Sequence, residues 1–134
     1  MGDVEVVHDP EHPDLVRVDG ICLKVSLLCP PHARERLLQR YDLELDDDSW
    51  VRIAYWASKG AYPDIPGYAA GPFCRALHVP CGESEDSAAV RTLPIIWREQ
   101  RRKMPFGSII TVLSRDCASG WPLGPRDFYR GSFL

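Results

Sequence analysis

The chain has 134 residues, of which 45% are hydrophobic and 26% charged, and its formal net charge is −3; these values are typical of a single globular domain. The negative balance disfavours nucleic-acid binding, which requires a basic face, and no apolar run approaches the ~20 residues of a membrane-spanning helix. Because no secretory signal is visible and the cysteine count of five is odd, we expect an intracellular protein, cytoplasmic or nuclear, with reduced thiols.

Residues 1–13 are acidic and show no periodic pattern, so we expect a flexible arm there. Asp19-Gly20 then separates two β-prone runs and predicts a hairpin over residues 14–28. The signal is strong because both central residues of a type I′ turn have positive φ, which Asp-Gly tolerates. Apolar residues alternate along the second run, which predicts a strand that continues to Leu28.

Pro30-Pro31 ends that strand, and the spacing of apolar residues predicts an amphipathic helix from His32 to Tyr41. The next stretch, Trp50 to Ser58, fits both a helix and a strand. Its β-branched and aromatic content favours a strand, with Ser49 as a cap. Residues 60–73 contain three prolines and three glycines, which predict a long irregular loop.

Residues 86–104 show the longest helical pattern, with Pro94 as a defect that kinks or restarts the helix. Residues 107–113 have the composition of a buried strand. The tail, residues 118–134, is punctuated by Gly and Pro yet rich in aromatic side chains, so we expect it to pack on the domain or on a partner. Taken together, residues 14–117 are expected to form one α+β domain, with two helices on one face of a mainly antiparallel sheet.

Two short segments, residues 29–32 and 74–81, bring cysteine and histidine together. Zinc prefers four such ligands with close pairwise spacing, and the candidates are Cys29, His32, His78 and Cys81. The alternative is that the cysteines are small buried side chains. Whether Cys74 and His78 can bind the same zinc ion depends on the conformation of residues 74–78. In a strand the two residues lie about 13 Å apart at ~3.3 Å per residue, whereas in a helix they lie one above the other. A zinc-stabilised interaction module is therefore one hypothesis.

A second hypothesis is a small enzyme or ligand-binding protein with its site beneath the 60–73 loop. The catalytic candidates are Cys74 or Cys81 as a thiolate activated by His78, and Asp64. A nuclease-like carboxylate pair of Asp64 and Glu99 would require two segments that nothing in the sequence places side by side. No phosphate loop or dinucleotide-binding glycine pattern is present, which favours a function other than catalysis.

The leading hypothesis is an accessory or regulatory protein that binds another protein. Aromatic side chains anchor protein interfaces as well as cores, and those of the 60–73 loop and the tail exceed what a core of this size collects. The residues expected to contact the partner are Tyr62, Tyr68, Phe73, Trp121 and Tyr129.

Overall fold

The computed structural model describes residues 4–83, 90–99 and 106–114. Its elements in chain order are β1 (Val6–His8), β2 (Leu15–Val18), β3 (Ile21–Lys24), α1 (Val25–Leu28), α2 (Pro31–Tyr41), α3 (Asp47–Ser58), β4 (Cys74–Glu83), β5 (Val90–Arg98) and β6 (Ser108–Val112). The strands form two antiparallel sheets, β1-β2-β3 and β4-β5-β6, so the expectation of an α+β fold with antiparallel pairing and an N-terminal hairpin is confirmed. Within the described ranges, no helix is long and apolar enough to cross a membrane.

The N-terminal hairpin forms at the predicted turn but ends earlier than expected. Asp19 and Gly20 have φ of 53° and 79°, as a type I′ turn requires. The predicted strand up to Leu28 is wrong, because the chain turns into α1 at Val25. Asp14 stabilises this turn: its carbonyl accepts from Val25 N at 2.9 Å, and its carboxylate accepts from Ser26 N at 3.0 Å and Ser26 Oγ at 2.6 Å.

The N-terminal segment contributes β1, a strand that the sequence pattern did not predict. Val6–His8 pairs antiparallel with β2. His8 contacts Asp48 in the first turn of α3, and Arg52 Nε donates to the Val4 carbonyl at 3.3 Å. These contacts connect β1 to α3, so this part of residues 1–13 is a component of the first sheet.

The predictions for α2 and β6 are confirmed. Pro31 occupies the first turn of α2, where its fixed φ favours helix formation. The helix ends at Asp42, whose left-handed conformation lets its N–H donate to the Leu38 carbonyl at 3.0 Å. The helix packs against β6, the strand expected from residues 107–113.

The strand predicted over residues 50–58 is wrong, since this segment belongs to α3. The helix is capped by Asp46, whose carboxylate accepts from Ser49 N at 2.8 Å. Ser49 therefore lies inside the first turn and is not the cap. Burial of a helical face outweighed β propensity here, and the buried apolar residues are Trp50, Val51, Ile53, Ala54 and Ala57.

The helix predicted over residues 86–104 is also wrong within its described part. Val90–Arg98 is the central strand β5, paired with β4 on one side and β6 on the other. Trp97 faces the main core, and its neighbour Ile96 faces a smaller apolar cluster. Because both faces of β5 are apolar, its sequence lacks the two-residue alternation that identifies a half-exposed strand.

Pro94 lacks the backbone N–H that would pair β5 with β6 at this position, and a side chain of α2 supplies a hydrogen-bond donor in its place. The Pro94 carbonyl accepts from Leu113 N at 2.7 Å, but proline has no N–H to return the bond. The Tyr41 hydroxyl donates to the Leu113 carbonyl instead, at 2.7 Å. Arg40 Nη1 donates to the neighbouring Val112 carbonyl at 2.8 Å, so the end of α2 is held on β6.

The 60–73 loop is positioned by the second sheet. The main core contains the fully buried Trp50 and Trp97 and covers one face of that sheet. The smaller cluster lies on the opposite face, because adjacent strand residues point to opposite sides. Its members are Ile65 of the loop with Ala76, Ile96 and Leu113. The loop thus packs over the face of the sheet that the helices leave uncovered.

Candidate functional site

The first half of the 60–73 loop contains a turn in which a glycine occupies the position that requires positive φ. Tyr68 N donates to the Ile65 carbonyl at 3.4 Å. Pro66 is the second residue of this turn and Gly67, with φ of 73°, is the third. Proline second and positive φ third are the features of a type II turn, in which glycine is the usual third residue.

The second half repeats this turn with a phenylalanine in the glycine position. Cys74 N donates to the Gly71 carbonyl at 3.3 Å. Pro72 is the second residue and Phe73, with φ of 60°, is the third. The Phe73 carbonyl accepts from Glu99 N at 2.7 Å, which holds the strained residue against the end of β5.

The loop is also joined to the edge of β4 by backbone hydrogen bonds. Ile65 N donates to the Ala76 carbonyl at 2.9 Å, and His78 N donates to the Pro63 carbonyl at 2.9 Å. Asp64 lies between them in an antiparallel bridge to β4. Residues 63–65 therefore act as a short additional strand, and this pairing fixes where Asp64 lies.

Arg75 connects the two carboxylates that the sequence could not place together. Its Nη2 lies 2.9 Å from Asp64 Oδ1, and its Nη1 lies 3.5 Å from Glu99 Oε1. The three side chains are more than a third exposed, so the network contributes little to stability. The Arg75 guanidinium thus lies between the two carboxylates, and within the described ranges no group of three metal-ligating side chains occurs.

The aromatic residues predicted as partner contacts differ sharply in exposure. Phe73 is 72% exposed and Tyr68 39%, so both are available on the surface. Tyr62 is 3% exposed and packs in the main core, so its assignment as a surface contact is wrong. Trp121 and Tyr129 lie outside the described residues. We refer to Tyr68 and Phe73 together as the Phe73 surface.

The cysteine and histidine candidates of β4 do not converge. Cys74 and His78 belong to an extended strand, which separates them by about 13 Å at ~3.3 Å per residue. They therefore cannot form a thiolate–imidazole pair or share one ion. Burial lowers the pKa of His78 to about 4, so the ring is neutral at pH 7. The side chain of Cys81 lies outside the described part of the strand.

The members of the other pair, Cys29 and His32, differ in solvent exposure. Cys29 is buried, and this burial raises the pKa of its thiol to about 12 despite the nearby Arg34 guanidinium. Its Sγ donates to the Pro30 carbonyl at 3.9 Å. His32 is exposed on the first turn of α2. A protonated, buried thiol is a poor nucleophile.

Sequence reasoning missed Arg75 and the strained backbone of Phe73. The repeated Pro-x pattern of the loop, Pro66-Gly67 and Pro72-Phe73, was the available signal, because it places a phenylalanine where the first turn has glycine. Comparison with protein-family models, curated proteins and solved structures found no match to the chain.

Proposed function

We propose that the protein is an accessory or regulatory protein that binds another protein through the Phe73 surface. The observation that carries this proposal is a phenyl ring 72% exposed on a residue whose φ is positive. Burying a phenylalanine side chain stabilises a protein by ~1.5–3 kcal/mol relative to leaving it exposed, and a non-glycine residue at positive φ costs about 1–3 kcal/mol. A partner that covers the ring would gain the free energy of burial that the isolated chain lacks.

The fold itself has no need of this phenylalanine. Gly67 forms the equivalent turn without strain, and Phe73 does not belong to either apolar cluster of the described residues. Strained backbone that the fold does not require is found preferentially at functional sites. These two facts support binding over a structural role for the ring.

The surroundings of Phe73 suit a protein interface. Its carbonyl accepts from Glu99 N, and Glu99 belongs to the ion-pair network of Arg75 with Asp64. An aromatic anchor bordered by polar and charged side chains is the usual arrangement of an interface centre and its rim. The network would give the interface its polar border.

Two further elements of the proposal come from outside this surface. Trp121 and Tyr129 of the tail are proposed as additional contacts with the same partner. An intracellular location, cytoplasmic or nuclear, is proposed from the free thiols of Cys22, Cys29 and Cys74, which a reducing compartment maintains.

The test replaces Phe73 with the residue that its turn favours. Phe73→Gly should leave the melting temperature unchanged or slightly higher, and should abolish recovery of the partner from cell extract on immobilised protein. The captured protein, once purified, should bind the unmodified chain in a direct titration and show at least tenfold weaker binding to Phe73→Gly.

Leu27→Ala is the matched control, because Leu27 is also apolar and 53% exposed but lies in α1. It should retain the partner. Equal binding by Phe73→Gly, or a large drop in its melting temperature, would show that the ring is not an interface residue.

A further inference from the structure

A groove on a different surface lies between α2 and the segment that leads into α3. Its volume is about 450 Å³, within the range of ~300–1,000 Å³ typical of small-molecule sites. Leu37 and Trp50 form its floor and are at most 1% exposed. Leu38 and Leu45 form apolar walls, and Leu38 remains 45% exposed. We call this feature the α2 groove.

Of the charged side chains at the rim of the α2 groove, the arginine has an ion-pair partner and the two glutamates have none among the described residues. Arg34 Nη2 lies 2.6 Å from Asp47 Oδ1, so its charge is paired. Glu35 accepts only a neutral amide hydrogen bond, from Gln39 Nε2 at 3.2 Å. In the described part of the chain, no Lys, Arg or His side chain lies within 4.0 Å of the Glu35 or Glu44 carboxylate. Two uncompensated negative charges therefore border an apolar floor.

Trp50, one of the two residues of the floor, is almost completely buried. The indole N–H of Trp50 is buried and has no hydrogen-bond partner among the residues that the structure describes. A buried donor without an acceptor destabilises a fold. Because Nε1 has almost no accessible surface, Trp50 contributes to the floor through the apolar part of its ring.

We infer that the α2 groove binds a small organic amine with an apolar body. The ammonium group lies between Glu35 and Glu44, where it compensates both carboxylates. The apolar body covers Leu38 and settles over Trp50. Anions are repelled by the rim, and an uncharged ligand leaves both carboxylates without a counter-charge. This inference is independent of the Phe73 surface, because the two sites share no residue.

The experiment uses dansylcadaverine, which joins a primary ammonium group to an apolar fluorophore bearing sulfonyl acceptors. Its N-acetyl derivative has the same body without the charge and is the matched probe. Binding is followed by dansyl emission and by energy transfer from tryptophan. We expect dansylcadaverine to bind at least tenfold more tightly than its acetylated form.

The Glu35→Gln/Glu44→Gln double variant should remove this difference between the two probes, while Glu11→Gln, an exposed carboxylate elsewhere, should preserve it. Equal binding of both probes to the unmodified protein would overturn the inference, and this comparison needs no variant to fold. Unchanged selectivity in the double variant would also overturn it. So would probe affinity that falls as protein concentration rises, since a second copy of the chain would then occupy the groove.

Discussion

Phe73 occupies the position in its turn that Gly67 occupies in the turn before it, with φ of 60° against 73°. Both residues therefore have a positive φ at the third position of their turns, one with a side chain and one without. The cost of a Cβ at positive φ is already present at Phe73 and absent at Gly67. One loop thus contains both the strained and the relaxed version of the same turn.

The first prediction follows from this pair. Phe73→Gly should raise the free energy of unfolding or leave it within about 1 kcal/mol, whereas Gly67→Ala should lower it by about 1 kcal/mol. A Cβ at Gly67 would meet no atom within 4 Å, so the loss reports backbone strain alone. Urea denaturation of both variants measures the difference, and a loss of more than about 2 kcal/mol for Phe73→Gly would show that the ring packs in the fold.

The second prediction concerns the hydroxyl that replaces a missing backbone donor. Tyr41→Phe should lower the free energy of unfolding by about 1–3 kcal/mol, because the Leu113 carbonyl loses its hydrogen bond. In a Pro94→Ala background residue 94 has an N–H again, and the cost of Tyr41→Phe should be smaller. A double-mutant cycle by urea denaturation measures this coupling. An equal cost in both backgrounds would mean that Tyr41 does not substitute for the residue-94 amide.

The third prediction is a pH dependence caused by His78. Its folded pKa is lowered to about 4 from an unfolded value of about 6.5, so the unfolded chain binds the proton more tightly. The contribution of His78 to the free energy of unfolding is therefore present above pH 6.5 and is lost as the pH decreases towards 4. About 2 kcal/mol is lost between pH 7 and pH 5.

Denaturation at pH 7 and pH 5 measures this loss, and His78→Gln is the control variant. It should be destabilised at pH 7 but should lose much less stability between the two pH values. The other three histidines, His8, His12 and His32, are exposed and unchanged in this variant. An identical pH dependence in His78→Gln would exclude the buried imidazole as its source.

The fourth prediction tests the close packing where β6 begins. A Cβ on Gly107 would meet the Arg98 carbonyl oxygen and would lie 2.6 Å from Trp97 Cζ2. Gly107→Ala should therefore destabilise the protein by about 3 kcal/mol or more, because backbone and a buried ring must both move. Gly71→Ala should cost only about 1 kcal/mol, since a Cβ there meets no atom within 4 Å. Similar losses for the two variants would contradict this packing.

The elements that were predicted correctly have local signals strong enough to determine their conformation. Asp19-Gly20 specifies its own turn, and the helix after Pro31 has an apolar stripe on one side only. The errors at α3 and β5 occurred where apolar residues are abundant on more than one side. In such segments tertiary packing decides between helix and strand, and packing is not encoded in a short window of sequence.

The candidate site shows the same limit. Tyr62 and Phe73 are both aromatic residues of one Gly/Pro-rich loop, yet the first is 3% and the second 72% exposed. Residue type alone does not distinguish them, because exposure depends on where residues 63–65 pair with β4. The separation of Cys74 from His78, in contrast, followed from the strand alternative that the sequence already allowed.

The pairing of residues 63–65 with β4 restricts how a partner can bind. Pro63 and Ile65 direct their backbone groups at β4, so Asp64 is the one residue of this short strand whose N–H and C=O face outward. Pro66 follows directly and has no N–H, so the outer edge is too short to pair with a foreign strand. The partner proposed for Phe73 would therefore be recognised there mainly through its side chains and not through its main chain. A partner with N-methylated amides at the contact should bind as well as the natural one, and indiscriminate capture of extended chains is prevented along this border.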